Sequence, residues 1–260
     1  MFQEFKRKKG ELTDKLHAVY AKAAAALGRF VHDGPQDMRI TVQGGIGTAA
    51  EDRLMLQHYD VDGTGWGTPF LLVPEAINID EAHLQKLLNV TSEDVYLSDS
   101  SPLGVPFWNL RTSASEEARR RRIREGKPGS SCPKGHISNN TEFTRIPICL
   151  ASRTYQKKRL AQLPAEGHPP ALLEKMQEGI VVKSCICHDL AGCVTLKAGI
   201  DPHATPAVCC GPNIVNFRRV ATLEEMVGHI YGRISLLAKA GRPHMFVRES
   251  GLFVDYLRSE

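Results

Sequence analysis

Two groups of residues in this chain have the types and spacing to do chemistry. The first is Gly44-Gly45-Ile46-Gly47, with Gly65-Trp66-Gly67-Thr68 some twenty residues on. A phosphate needs several backbone N–H groups aimed at one spot with no Cβ in the way. Glycine allows that approach, and a helix N-terminus adds aligned donors and a favourable dipole. Thr48-x-x-Glu51 reads as a capping box that starts a helix directly after the first glycines. The second glycine group closes the next strand and adds the Thr68 hydroxyl. Two adjacent strand ends can close on one phosphate in this way. The plainer reading is that these glycines only make tight turns.

The second group is the cysteines, seven in number and all in the second half of the chain. Cys132, Cys149, Cys185, Cys187, Cys209 and Cys210 are the candidate metal ligands, and His136, His188 and His203 are available to complete a site. Several sit in turn-rich contexts such as Cys132-Pro133-Lys134-Gly135 and Cys209-Cys210-Gly211-Pro212. Thiolates converging from separate loops suit zinc or an iron–sulfur cluster. Paired C-x₂-C knuckles are absent, and Cys185-x-Cys187 and Cys209-Cys210 are poorer signals. The alternatives are thiols serving as small buried apolar groups, or a redox pair.

The elements that must position these groups follow from periodicity. Residues 11–32 carry Leu12, Leu16, Val19, Leu27 and Phe30 near helical spacing, and Gly34-Pro35 stops them. Met38 to Gln43 reads as a strand, 48–59 as a helix, 63–67 as a second strand, 80–88 as a helix capped by Asp80, and Asp94 to Ser98 as a third strand. This β-α-β-α-β order predicts a parallel sheet or barrel. Beyond residue 112 the chain becomes helical and loop-rich. A charged helix at 113–125 is followed by amphipathic helices near 170–183 and 222–239, the last with Leu223, Met226, Val227, Ile230, Ile234 and Leu237 on one face.

The 260 residues, 42% hydrophobic and 24% charged, fall in the ordinary globular range. The net charge of +4 is mild, and much of it comes from Arg119-Arg120-Arg121-Arg122, read as a solvated helix face, so no nucleic-acid partner is expected. No apolar run of about 18 residues predicts a membrane span, and Met1 to Lys9 lacks the apolar core of a signal peptide. A cytoplasmic location is the default expectation. The odd cysteine count then favours reduced thiols or metal ligands over disulfides.

Val42-Gln43-Gly44-Gly45-Ile46, the helix after it, and Asp62-Gly63-Thr64-Gly65-Trp66-Gly67-Thr68-Pro69-Phe70-Leu71 with Glu75 resemble the nitronate monooxygenase (2-nitropropane dioxygenase-like) family. Tyr96-Leu97-Ser98 and Gly104 to Leu110 look like the segment that follows the barrel in that family. Ser131-Cys132-Pro133, Cys185-Ile186-Cys187 and Gly192 are similar to a cysteine-containing branch of it. The resemblance implies the C-terminal portion of a (β/α)₈ TIM-type barrel over 1–112, with a helical, cysteine-containing extension over 113–260. It implies an FMN-dependent oxidoreductase, a flavoprotein monooxygenase, acting on a small-molecule substrate. Gln43, Gly44, Gly45, Gly65, Trp66, Gly67 and Thr68 would hold the flavin phosphate; Gln43 stands where the family usually has Ala. The family's catalytic histidine lies upstream of the matched region, so no catalytic residue is assigned. Three strands leave a barrel unclosed, which predicts a partner chain or a second copy that completes it. The rival expectation is a non-catalytic metal-binding or partner subunit that keeps only the last barrel strands.

Overall fold

The computed structural model describes every residue except Met1, Met38, Pro133, Ala240 and Glu260. The fold is mixed α/β, about half helical, with few and short strands. It divides into two compact units, one comprising 1–67, 227–235 and 243–260, the other 68–226 and 236–242. In chain order the elements are α1 (Phe2–Ala26), β1 (Thr41–Gln43), α2 (Ala49–Arg53), β2 (Gly63–Gly65), α3 (Glu81–Leu88), β3 (Val95–Ser98), β4 (Phe107–Leu110), α4 (Ala114–Arg124), α5 (Arg153–Gln162), α6 (Pro170–Val181), α7 (Ile186–Asp189), α8 (Gly192–Lys197), α9 (Leu223–Ile230) and α10 (Met245–Ser259). No helix among the described residues is long and apolar enough to cross a membrane.

In the first unit β1 pairs parallel with β2, Thr41 opposite Gly63 and Gln43 opposite Gly65. The expected start of this strand at Met38 lies outside the described residues; the paired part begins at Thr41. Thr48 caps α2, its Oγ1 accepting the Glu51 N–H at 3.2 Å. The helix continues as a π-turn over Leu54–His58. Ile46, Met55, Val61 and Met245 form the buried cluster, with Phe2, Val42, Leu54, Tyr59, Trp66 and Phe246 packed against it. Helix α1 starts earlier than the 11–32 expectation and ends earlier, at Gly28, whose φ of +63° suits a glycine stop. Its apolar residues do not form a buried face: Leu16, Val19, Leu27 and Phe30 are all exposed.

The second unit corrects the expected β-α-β-α-β sheet. Val95–Ser98 does not extend the β1–β2 ladder; it pairs antiparallel with Phe107–Leu110, Val95 opposite Leu110 and Ser98 opposite Phe107. The reason is the short connection. Pro102 and Gly104, at φ +71°, turn the chain back at once, and an antiparallel pair closes over a short loop where a parallel pair needs a crossover of a dozen residues or more. No closed barrel is present among the described residues. The helix expected over 222–239 stops at Ile230. Gly232 takes φ +76° and its N–H donates to the His229 carbonyl at 3.1 Å, while Arg233 N–H reaches Gly228 O at 2.8 Å, a left-handed stop that takes Ile234 and Leu237 off the helix face.

Met55 is fully buried in the first unit's cluster, whereas Leu16 is 58% exposed. Met55→Ala should therefore destabilise by about 2–5 kcal/mol, and Leu16→Ala by no more than about 0.5 kcal/mol. Urea titrations followed by far-UV circular dichroism would read both, and equal effects would contradict this assignment of the core.

Candidate thiolate metal centre

The glycine turn after β1 has the backbone expected of it, Gly44 at φ +107° and Gly45 at φ +71°. Its interior is nonetheless taken by the chain itself. Glu51, 2% exposed, does not return to the Thr48 N–H as a capping box would. One carboxylate oxygen accepts the Gly47 N–H at 2.9 Å, and the other accepts the Met245 N–H at 2.6 Å from the start of α10. A Cβ on Gly45 would lie 3.6 Å from the Met245 Cβ, so α10 packs directly over the turn. Gly65 is glycine for a different reason than phosphate approach: the Gln43 side chain lies over it, where a Cβ would clash. Trp66 packs into the apolar cluster, edge-on to His229 at 5.8 Å. Gly67 faces open space. Thr68 belongs to the second unit, where its Oγ1 sits against Gly211. The seven residues expected to hold a phosphate thus divide between the two units, and an internal carboxylate fills the place of the anion.

The cysteines divide more informatively. All seven are free thiols, and four of the six candidates come together in the second unit. The loop carrying Cys132 docks on the loop carrying Cys149. Ser130 N–H donates to Ala151 O at 2.9 Å and Arg153 N–H to Ser130 O at 3.0 Å. The approach is so close that a Cβ on Gly129 would lie 2.7 Å from the Arg153 Cα, and Gly129 has φ +81°. Gln156, fully buried on α5, then ties in the third loop, its amide nitrogen donating to Lys183 O at 2.9 Å and Leu150 O at 3.5 Å. That brings the segment leading to Cys185 and Cys187 against the loop that follows Cys149. Burial raises the Cys149 thiol above its ordinary range, the Ala151 N–H lowers it, and the neighbouring Cys132 and Cys187 thiols raise it again. Burial also raises Cys185, reinforced by Cys187, Asp189 and Cys132.

Two backbone donors already face sulfur: Gly135 N–H to Cys132 Sγ at 3.2 Å and Ala151 N–H to Cys149 Sγ at 3.4 Å. Such donors favour the thiolate over the thiol. Arg122, on α4, adds a cation near Cys185 and Asp189. Its guanidinium is lowered from the ordinary range first by burial, with the neighbouring Asp189 and Cys185 opposing and Arg121 and Arg153 adding to the shift, and its Nε has no hydrogen-bond partner among the described residues. The arginine run is therefore not wholly a solvated face. Two buried polar atoms in the same segments, Gln156 Oε1 and Ser184 Oγ, likewise lack partners among the described residues. Collecting thiols out of water is unfavourable for their ionised forms unless a cation offsets the charge, and a bound metal is the strongest such offset.

The chain matches no protein-family model, and no curated protein matches it. The site must be judged on its own chemistry. Cys209 and Cys210 are not part of the four-thiol group; burial raises both thiols, Cys210 to about 12 with Cys209 adding to it. His136 is exposed, and His188 is engaged with Asp189 at 3.4 Å and Asp201 at 3.2 Å.

A second constellation, not anticipated from sequence, joins Asp80, His83 and Cys193, all buried, with ligand-type atoms within 4.8 Å of one another. It does not have the geometry of a metal site. Ala114 N–H donates to His83 Nε2 at 3.1 Å, so Nε2 is the acceptor and Nδ1 carries the proton. Nδ1 then donates to Asp80 Oδ2 at 2.8 Å, a hydrogen-bond length. Two ligands each about 2.0–2.2 Å from one ion would stand further apart, and no lone pair on His83 is spare. Burial works to raise the Asp80 carboxyl, but hydrogen bonds from the His83 ring and backbone and from the Cys193 thiol outweigh it and hold Asp80 below its ordinary range. Burial and Asp80 push Cys193 up to about 12. The trio is a polar clamp joining α3, α4 and α8.

Because the folded Asp80 carboxyl titrates below its unfolded value of 3.8, its stabilisation is present above that pH and is lost as pH falls through the folded pKa. Asp80→Asn should destabilise the protein at pH 7 and flatten the loss of stability below about pH 4. Chemical denaturation at a series of pH values measures both. A parallel offset at every pH would contradict the clamp.

Proposed function

We propose that this chain is a metal-binding redox protein in which Cys132, Cys149, Cys185 and Cys187 hold an iron–sulfur cluster. One observation carries the reading: the three segments that carry Cys132, Cys149 and Cys185-x-Cys187 are hydrogen-bonded to one another, through the 130–152 bridge and the Gln156 amide. Iron–sulfur is favoured over zinc by the spacing. Zn–S bonds near 2.3 Å would bring sulfurs to about 4 Å from one another, yet among the described residues no three cysteine sulfurs lie within 4.8 Å. A 4Fe–4S cluster binds each of four thiolates to a different iron and so spreads them further apart. When bound, such a cluster supplies one-electron transfer. The chain's own residues would donate to the bound sulfurs through Gly135 and Ala151 N–H, balance their charge with Arg122, and limit water through the burial of Cys149 and Cys185.

A second reading has one observation in its favour. Gly44 and Gly45 both take positive φ where β1 ends beside its parallel neighbour β2, and Gly67 opens onto free space. Such a backbone would suit the FMN-phosphate grip of an oxidoreductase of the nitronate monooxygenase type. On that reading β1 and β2 are strands of a TIM-type barrel completed by a partner chain or another copy, acting on a small-molecule substrate. It requires the phosphate to displace Glu51 from the Gly47 N–H.

Protein purified anaerobically without chelator should contain iron and acid-labile sulfide in a brown chromophore that dithionite bleaches. Cys149→Ser should lose most of that iron while keeping its far-UV spectrum. Zinc alone, or no metal, would sink the first reading. Flavin extracted from the same preparation decides the second: FMN should be present, and Glu51→Ala should keep or raise its content. A flavin-free protein, or complete FMN loss in Glu51→Ala, would remove that reading.

A further inference from the structure

The net charge conceals a strong separation. Between Arg119 and Arg159 the chain has twelve arginines and lysines against two carboxylates, Glu125 and Glu142. That stretch carries +10, so the remaining residues carry −6 within the total of +4. It is also the stretch that supplies Cys132 and Cys149 and the helix bracing Cys185. Arg124, Lys127, Lys134, Arg145, Arg153, Lys157 and Lys158 are exposed and have no ion pair among the described residues.

The placement of these cations follows from backbone contacts already described. Arg153 begins α5 and is pinned to the Cys132 loop through Ser130 O at 3.0 Å. Lys157 lies one turn along the same helix. Lys134 sits inside the turn whose Gly135 N–H faces Cys132 Sγ. Lys127 follows α4, its N–H bonded to Arg122 O at 2.9 Å. Cys132 and Cys187 are the partly exposed members of the thiol group, whereas Cys149 and Cys185 are buried. The segments that carry Cys132 and Cys149 are thus the same ones, with α4 and α5, that carry the cations having no ion pair among the described residues.

We infer that this basic collar is the docking surface for an acidic electron-carrier protein, which meets the chain at the accessible edge of the four-cysteine site. The role of the partner rests on the iron–sulfur reading; the docking surface does not. Like charges concentrated in one stretch repel one another, and no carboxylate pairs with these seven among the described residues, so an external anionic surface is the complementary face. A protein is favoured over nucleic acid because the cations surround a thiol site rather than follow a groove with stacking aromatics; Phe143 and Tyr155 pack on each other at 5.5 Å. In the exchange one electron leaves the reduced carrier and enters the iron–sulfur centre, and no bond forms or breaks. Such encounters are weak, fast and strongly salt-dependent.

The test uses the full chain as purified, its iron content recorded, titrated with an acidic flavodoxin and, separately, with a short DNA duplex. Binding to flavodoxin should weaken by about tenfold between low and moderate salt. It should weaken by a similar factor in Arg153→Glu/Lys157→Glu, with Lys8→Glu/Lys15→Glu on α1 as a charge-matched control that leaves it unchanged. Circular dichroism of both variants would show whether either has lost its fold. Absence of flavodoxin binding, insensitivity to salt or to the α5 reversal, or tighter binding to DNA would each overturn the proposal. Binding by protein without iron would uphold the surface and sink the cluster reading. Iron without binding would do the reverse.

Discussion

Gln156 is fully buried, and its amide nitrogen donates to two carbonyls that belong to different loops, Leu150 O and Lys183 O. One loop follows Cys149 and the other precedes Cys185. A fully buried amide with two acceptors is costly to remove, because the bonds that tie the two loops are lost together. The four thiols share a neighbourhood because this side chain and the 130–152 bridge hold their backbones together. The thiols are not drawn together by attraction for one another: burial is the first cause that raises the Cys149 and Cys185 thiols, and the neighbouring thiols add to it.

The helices were legible wherever a cap or a glycine stop was local. Asp80, Ser113 and Thr48 each accept an N–H three residues on, as their types suggest. The strand partners were not legible, because a strand of four residues does not specify its neighbour. Val95–Ser98 read as a further parallel strand, and only the turn through Pro102 and Gly104 pairs it backwards with Phe107–Leu110. Apolar spacing likewise marked α1 as a helix, yet not whether anything covers Leu16 or Val19. Among the thiols, residue type and loop context named six candidates alike, and only the folded chain separates the segments of Cys132, Cys149, Cys185 and Cys187, which are bonded to one another, from Cys209 and Cys210. Adjacency in sequence says nothing of where a pair faces. Gln156 and Arg122 gave no signal, since their importance comes from where they are buried.

Glu51 shows how a motif can be right in its backbone and different in its content. Positive φ at Gly44 and Gly45 creates a concave turn with donors facing inward, and any nearby anion will satisfy it. Here the carboxylate is internal and serves two separate parts of the chain, Gly47 and the start of α10. The carboxylate thereby fastens the C-terminal helix to the first strand–helix unit. The resemblance in this region is one of sequence, and what occupies the turn is a separate question.

The close approach of Gly129 to Arg153 has a consequence for the order in which the site can be made. The Cys132 and Cys149 loops lie close in sequence and can close on each other as soon as the start of α5 exists. Cys185 and Cys187 arrive only after all of α5 and α6 have been synthesised and Lys183 has found Gln156. During synthesis, then, the emerging chain presents an early pair of sulfurs well before the late pair, and a half-built site is the first thing the surroundings meet. Loading by a soft cation at that stage would trap two thiolates with the wrong complement. If these thiols hold the proposed cluster, the arginines and lysines of α4 and α5, already made by then, would disfavour the approach of stray cations to the early pair.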